Sequence, residues 1–516
     1  MVATMLSGTL RKPRLLGWKP AGIGAREMPV TASQTRFIAA VRARIGDKAV
    51  TTDSSDIAPW LTDWRGRYHG ASAAILSPDS TAAVAAIVGL AGDHGVPLVP
   101  QGGNTSMVGG ATPPADGSAV ILSLRRMNRL RRIDPAAGLA VAEAGVILQD
   151  LHTATETQGM RFPLTLGARG SATVGGLVST NAGGTQVLRF GSMRSLVAGL
   201  EVVLPDGQVH DGLSALKKDN RGYDLTQLLV GAEGTLGIVT AATLRLVPVE
   251  ADRATGWIGV DSPHAALALL RALELRSGEA IESFELVPGA ILDLVVKHIP
   301  GTRAPLDAQY PWLVLIDYAT ASGEPGARDA LEQHLGEALA EGLARDAVVA
   351  ANTTQAAAFW RLRDSISEAE RAEGPTIAHD ISVAVEAMPD FIVDAAAAVE
   401  AAYPGVHATG FGHLGDGNVH FHVNAPAGLQ HDPVAVERWQ REVGVPASRM
   451  VYDLVVAAGG SISAEHGIGQ MKRDELERLS SPARMAALRA IKTGFDPNGL
   501  MNPDKLLALA KTPRAP

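Results

Sequence analysis

The chain has 516 residues, 46% of them hydrophobic and 19% charged, which is too long for one compact core and calls for two or three domains. Its net charge of −8 is spread rather than blocked and only 4% of residues are aromatic, so the basic footprint and stacking platforms of a nucleic-acid binder are absent and small molecules are the expected partners. With no cysteine, disulfides, iron–sulfur clusters, thiol nucleophiles and cysteine-linked cofactors are all excluded: any metal must sit on His, Asp or Glu, and electrons must leave to another molecule.

Residues 1–34 read as an N-terminal extension without fixed structure. Arg11, Lys12, Arg14, Lys19 and Arg26 all precede the first acidic residue, Glu27, in a presequence-like way, but a plain extension is the simpler reading. No apolar run approaches the roughly 20 residues that span a bilayer, and no signal-peptide core is present, so no transmembrane segment is expected and the cytoplasm is the default location. Phe37, Ile38, Val41 and Ile45 then open a helical pattern.

Val84, Ile87, Val88 and Ala91 follow helical spacing to Gly95, and Val96 to Val99 reads as a short buried strand. It empties into Pro100-Gln101-Gly102-Gly103-Asn104-Thr105-Ser106, continuing to Gly109-Gly110, a loop able to turn successive backbone N–H groups toward a phosphate. No Gly-Lys-Ser/Thr follows, so it is not a nucleotide-hydrolysing loop. Two further glycine-rich stretches, Gly167 to Gly184 and Gly231 to Gly237, point to an extended ligand, and with the strands Leu200–Leu204 and 238–247 they outline an α+β cofactor domain over residues 35–250. Over residues 251–454 shorter strands (Trp257–Val260, Trp312–Tyr318, Ala347–Ala351) alternate with amphipathic helices (Ala265–Leu275, Ala327–Leu343), as in a sheet covered by helices. The segment 455–516 returns to glycine-rich loops and is expected to pack back onto the first domain.

Chemistry concentrates late in the chain. Gly410 to Gly415 matches GxGxxG by letter, but the alternating strand Asn418-Val419-His420-Phe421-His422-Val423 follows, not the helix that would hold a pyrophosphate. Alternation puts His420 and His422 on one strand face, with His413 in the loop before it, while Glu465 and His466 sit between Gly459-Gly460 and Gly467. Imidazoles and a carboxylate in such settings are able to hold a divalent metal, with a spare histidine to move a proton.

The loop at Pro100–Ser106, the stretches at Gly167–Gly184 and Gly231–Gly237, Gly412–His420, Glu465–Gly469 and Asn502-Pro503-Asp504-Lys505 occur in the order found in the FAD-linked D-2-hydroxyacid dehydrogenases. Over residues 35–507 the chain resembles the hydroxyglutarate dehydrogenases most, and is similar to the flavin subunit of glycolate oxidase and to FAD-type D-lactate dehydrogenases. The resemblance implies an α+β fold of the vanillyl-alcohol-oxidase type: a two-part FAD-binding domain, a ferredoxin-like substrate domain and a helical C-terminal segment. It implies non-covalent FAD held by Pro100, Gly102, Gly103, Asn104, Thr105, Ser106, Gly175, Gly176, Asn181, Gly183, Glu233, Gly234, Ile238 and Asn502. It further implies a divalent metal, zinc by its donor set, on His413, His420 and Glu465, with His466 as catalytic base. Asn418 is read either as a donor orienting a ligand or as a turn residue.

For the substrate, a small 2-hydroxyacid, the resemblance nominates Arg363 and Ser367, one turn apart on the helix from Thr353, and His422. A lysine usual before the His379-Asp380 pair is replaced by Ala378, and His422 stands where asparagine is usual. Either His379 or His422 compensates for the lost cation, or the pocket takes a shorter or apolar 2-hydroxyacid such as D-lactate or glycolate; His379 also reads as a mere surface residue. An external electron acceptor, an electron-transfer flavoprotein or a quinone, is required. A homodimer is left open. Two other readings are a metal-dependent hydrolase without flavin and a flavin subunit inactive without an iron–sulfur partner.

Overall fold

The computed structural model describes residues 30–250, 252–320 and 326–508. The extension expected at residues 1–34 lies outside them up to residue 29, and by Ala32 a helix has begun: Ala32–Ile45 is closed at its start by a capping box between Thr31 and Gln34, and it buries Phe37 and Val41.

The first sheet holds β1 (Val50–Thr51), β2 (Ile75–Leu76), β3 (Leu98–Gln101) and β4 (Val120–Ser123) in the order β1-β2-β4-β3, the last three strands parallel. The helix Thr81–His94 starts on the Ser80 side chain and stops at Gly95, whose φ of +62° favours glycine. Β3 then delivers the loop from Gly102 at the carboxyl end of the parallel strands, the usual place for a ligand.

A second sheet follows, antiparallel, in the order β5-β6-β10-β8-β9, from β5 (Leu130–Asp134), β6 (Leu139–Glu143), β8 (Val197–Val203), β9 (Val209–Gly212) and β10 (Ile238–Arg245); β7 (Met160–Arg161) pairs separately with β11 (Val247–Pro248).

The third sheet is antiparallel and seven-stranded, in the order β15-β12-β14-β13-β17-β18-β16, from β12 (Asp252–Val260), β13 (Ile281–Pro288), β14 (Trp312–Thr320), β15 (Asp346–Val349), β16 (Thr376–Ser382), β17 (His407–His413) and β18 (Asn418–Asn424). Its first four strands, with the helices Pro263–Ser277 and Ala327–Ala340, run strand-helix-strand-strand-helix-strand in the spatial order fourth, first, third, second, which is the ferredoxin-like arrangement. The free edge of β13 is extended by β17, β18 and β16. One sheet face packs Ile381, Val419, Phe421 and Val423 into an apolar core with the helices Met388–Ala402 and Val445–Ala457; the other face builds the site.

Segments far apart in sequence are tied together. Leu98 N donates to Leu500 O and Asn502 N to Leu98 O, both at 2.8 Å, and Lys492 Nζ donates to Thr235 O at 2.7 Å. Among the described residues no helix is long and apolar enough to cross a membrane.

Candidate active site

The glycine loops meet at distances that require glycine. A Cβ on Gly102 would lie 2.1 Å from Thr173 Oγ1, one on Gly103 1.8 Å from Ser171 O, and one on Gly234 2.4 Å from Pro100 Cγ. Thr173 Oγ1 is buried beside Gly102 and has no hydrogen-bond partner among the described residues, so a polar acceptor or donor is owed there. A cradle of close-packed backbone with an unpaired hydroxyl fits the phosphates of FAD.

Several nominated cofactor residues shape this cradle. Asn104, Asn181, Glu233 and Asn502 all adopt positive φ, between +43° and +53°. Asn104 Nδ2 donates to Thr62 O, Asn181 Oδ1 accepts from Ser192 Oγ and Arg194 N, and Asn502 Nδ2 donates to Gly110 O and Glu233 O. The Ser106 hydroxyl accepts from Gly110 N at 3.0 Å. The Glu233 carboxylate accepts from Ile468 N and Gly469 N at 2.7 Å each, which straps the His466 loop to the glycine loops. The Ile238 side chain packs in the core with Leu98 and Val203, so only its backbone is left to meet a cofactor.

Strand register gathers the chemical residues. Ala378 pairs with His422, Asp380 with His420, Phe411 with His420, His413 with Asn418, and Glu285 with His413. Cross-strand partners share a face, so the imidazoles, Asp380 and Glu285 line the side of the sheet opposite the Phe421 core. Gly410 to Gly415 is thus the end of β17 and its turn, not a nucleotide loop. This face, with Arg363, Ser367, His466, Lys472, Arg65 and Arg67, bounds a cavity of about 210 Å³, the size for a small acid. Arg363 and Ser367 do not share one helix: Thr353–Asp364 ends at Ser365 and Ile366–Glu373 begins anew, yet both side chains reach the cavity.

Asp380, 4% exposed, organises the base. Its Oδ2 accepts from Glu465 N and His466 N at 3.0 Å each and lies 3.4 Å from His466 Nδ1; its Oδ1 accepts from Asn418 Nδ2 at 3.1 Å. Burial would raise the Asp380 carboxyl, but His466 and Lys472 outweigh it and hold it below the usual range. Burial lowers the His466 imidazole, and Lys472 and Arg65 add to this against the pull of Asp380, leaving it neutral and free to accept a proton at pH 7.

Two further carboxylates hold site residues. Glu285, fully buried, accepts from Arg363 Nε at 2.7 Å and lies 2.5 Å from His413 Nδ1. Burial works against ionising it, yet Arg363 and His413 pull it well below the usual carboxylate range. Glu370 Oε2 sits 2.5 Å from His422 Nδ1. His379 corrects the reading as a surface residue: it is 2% exposed, with Nδ1 on Phe421 O and Nε2 on Ser448 Oγ, both at 2.9 Å. With both nitrogens in use it is not available to replace a missing substrate cation.

Among the described residues the group of three such side chains whose ligand atoms all lie within 4.8 Å of one another is Asp380, Glu465 and His466. Of the nominated ligands only Glu465 belongs to this group, while His413 and His420 stand side by side with ring centroids 5.4 Å apart. The Glu465 carboxylate finds no hydrogen-bond donor among the described residues; burial, with Asp380, Asp416 and Glu285 and against His413, raises it to about 7. His420 is held neutral by burial and by Arg363 and His413. His413 is raised to about 9, burial being overcome by Glu285, and a carboxylate behind an imidazole is how proteins orient a metal-binding histidine. A half-buried carboxylate short of a cation, near such imidazoles, offers the donor types that a divalent metal takes. Sequence patterns had not singled out Glu285, Asp380, Glu370, Lys472, Arg65 or Arg67; a carboxylate within a strand was the available signal for Glu285 and Asp380.

Residues 72–212 match the FAD binding domain model, and residues 249–506 match the model of the C-terminal domain of FAD linked oxidases. The chain is similar to the mitochondrial D-2-hydroxyglutarate dehydrogenase of Arabidopsis thaliana, 35% identical over 498 residues that cover 96% of this chain and 86% of that one. It is also similar to the enzyme of that name from Bos taurus, 35% identical over 489 residues, 95% of this chain and 86% of the other. Both names carry the mitochondrion, which overturns the cytoplasmic location expected from the missing export signals. Among solved structures, substrate-bound p-cresol methylhydroxylase superposes with a TM-score of 0.71 at 16% identity, covering 92% of this chain and 97% of that one, a likeness of fold. The FAD-binding match removes the flavin-free hydrolase reading.

Proposed function

The chain belongs to the FAD-linked oxidases and is an FAD-dependent dehydrogenase, and from that premise we propose that it oxidises D-2-hydroxyglutarate, or a closely similar D-2-hydroxyacid, to the 2-oxoacid. The observation that carries this reading is the cavity in which a neutral His466, backed by Asp380, faces Arg363 and Ser367 across a face of imidazoles. The names of the relatives support the substrate.

In this reading His466 takes the C2 hydroxyl proton, and Asp380, next to Nδ1, keeps the proton on that nitrogen so that Nε2 accepts. Bound FAD, held by the Gly102–Ser106 loop and the segments around Gly175, Gly183 and Gly234, supplies the acceptor for the C2 hydride. A divalent metal, zinc by the imidazole and carboxylate donors, would be held by His413, His420 and Glu465 and would supply Lewis acidity toward the substrate's carboxylate and hydroxyl. Phe411 and Met107 line the cavity and limit water. The electrons then pass to an external acceptor, a flavoprotein or quinone, since the chain has no cysteine to hold an iron–sulfur relay.

The test is anaerobic bleaching of the flavin in the purified protein by D-2-hydroxyglutarate, D-malate, D-lactate and glycolate, repeated after chelation and after zinc is returned. Hydroxyglutarate or malate is expected to bleach fastest. Bleaching by lactate or glycolate alone would favour the second reading, a monocarboxylate dehydrogenase, which draws support from the uncharged Ala378 in the cavity wall. A flavin that none of these acids bleaches would overturn both.

A further inference from the structure

Arg65 and Arg67 enter the cavity from a turn to which the mechanism above gives no work. Asp63 builds the turn: its carboxylate accepts from Arg65 N at 3.2 Å and from Tyr68 N at 2.7 Å, and Gly66 takes a φ of +68°. The turn is fixed against the cofactor loop, where Thr62 O accepts from Asn104 Nδ2 at 3.0 Å and Tyr68 stands so near Gly109 that a Cβ there would lie 2.9 Å from its ring. Its arginines are therefore presented by the FAD-binding part of the chain, across the cavity from the sheet face.

Of the cations lining the cavity, two are already paired: Arg363 with buried Glu285, and Lys472, whose Nζ donates to Asp380 O at 3.0 Å and lies 3.9 Å from Asp380 Oδ2. Among the described residues the Arg65 guanidinium has no hydrogen-bond or ion-pair partner, and Arg67 makes one weak contact, from Nη1 to Met471 Sδ at 3.7 Å. Arg371 adds further positive charge near Arg65, and the carboxylate that acts on it, Asp63, is occupied by its own turn. Ala378 on the facing wall carries no charge. Arg65 and Arg67 are exposed at the mouth, whereas Asp380 and His422 at the inner end are each 4% exposed. An acid whose C2 hydroxyl reaches His466 therefore leaves its far end toward the two arginines.

We infer that Arg65 and Arg67 form the site for a second, distal carboxylate and so select 2-hydroxy dicarboxylates over monocarboxylates; the inference rests on the hydroxyacid dehydrogenase reading. Planar guanidinium groups suit bidentate contact with a carboxylate, and two of them without acidic partners make an anion site that a lactate methyl would leave unused.

The test uses FAD-loaded protein carrying Arg65→Gln, Arg67→Gln or Arg65→Lys, with flavin content matched by absorbance. In both glutamine variants the ratio of kcat/KM for D-2-hydroxyglutarate to that for D-lactate is expected to fall about 10- to 100-fold, chiefly through KM, the range for one lost charge-assisted hydrogen bond. Arg65→Lys restores part of the ratio. Glutarate, which offers both carboxylates and no oxidisable hydroxyl, is expected to bind by calorimetry with Kd raised by a similar factor in the glutamine variants. An unchanged ratio, or an unchanged glutarate Kd, overturns the site. If glutarate binding depends on the two arginines while no hydroxyacid bleaches the wild-type flavin, the carboxylate site stands and the dehydrogenase reading falls.

Discussion

Asp380→Asn separates the chemistry of the His466 loop from its folding. The substitution keeps shape and removes charge. In the native protein Asp380 Oδ2 accepts from Glu465 N and His466 N and faces His466 Nδ1, while Oδ1 accepts from Asn418. Asparagine offers one oxygen. If that oxygen keeps the two main-chain N–H groups, its amide meets the Asn418 amide; Asn418 must flip to present its unpaired Oδ1 and gives up its bond to Ile381 O at 3.0 Å. One hydrogen bond is lost and buried Lys472 loses its nearest negative charge, together about 2 to 4 kcal/mol of stability. The effect on the reaction is separate. Without a carboxylate beside Nδ1, the His466 tautomer that accepts at Nε2 is no longer favoured. The 3.4 Å separation is longer than a full hydrogen bond, so the loss is expected at about 100-fold in the rate of flavin bleaching, short of the roughly 10⁴-fold cost where the contact is close. Stopped-flow bleaching by D-2-hydroxyglutarate, on protein shown to be folded and flavin-loaded, measures it, and the substrate concentration giving half the maximal rate should stay within about threefold of wild type. A folded, flavin-loaded variant that bleaches within about threefold of the wild-type rate would refute the role given to Asp380.

Glu282, 1% exposed, accepts from Arg161 and from Arg189 Nη1 at 2.8 Å, both in the FAD-binding part, and from Arg253 Nη2 at 2.5 Å. Glu282→Ala leaves Arg189 without its carboxylate, while Arg161 keeps Glu250 and Arg253 keeps Glu250 and Asp317, so it should cost about 2 to 3 kcal/mol in urea unfolding, and a loss under about 1 kcal/mol would contradict the clasp. His379 is lowered to about 3 by burial, below its unfolded value near 6.5, so the unfolded chain binds the extra proton and stability falls as pH drops below about 6.5. His379→Gln should remove about 2 kcal/mol of the decline between pH 6.5 and 5 in unfolding titrations, and parallel pH slopes for the two proteins would count against it. Glu285→Gln takes away the carboxylate behind His413 and is expected to weaken zinc retention about 10- to 100-fold on dialysis against a graded chelator series, followed by metal analysis. Equal zinc content in both proteins throughout that series would remove Glu285 from the metal site.

The local features of the site were legible in the sequence because they depend on short-range rules. Alternation put His420 and His422 on one face, the strand after Gly415 argued against a nucleotide loop, and each of the three glycine-rich stretches holds a position, Gly103, Gly184 and Gly234, where a neighbouring segment of the chain lies too close for a side chain. What escaped depends on register between distant strands and on contact between the FAD-binding part and the sheet. Glu282 and Glu285 lie in β13, all eight residues of which are buried, because one side is covered by the core and the other by the site and the adjoining FAD-binding part. In such a strand alternation carries no sign of what faces solvent, and a register shift between Ile281 and Ser283 disturbs the period further. Yet each buried carboxylate must be matched by cations from other elements. Arg161, Arg189 and Arg253 answer Glu282; Arg363 and His413 answer Glu285. This second pairing changes the reading of the substrate pocket. Arg363, nominated to read a distal carboxylate, gives its Nε to Glu285, which shares its charge, and Ala378 adds none. Among the described residues the guanidinium groups left without an acidic partner at the mouth are those of Arg65 and Arg67, so in this proposal the selection of a dicarboxylate falls to a turn nearly 300 residues before Arg363 in the chain.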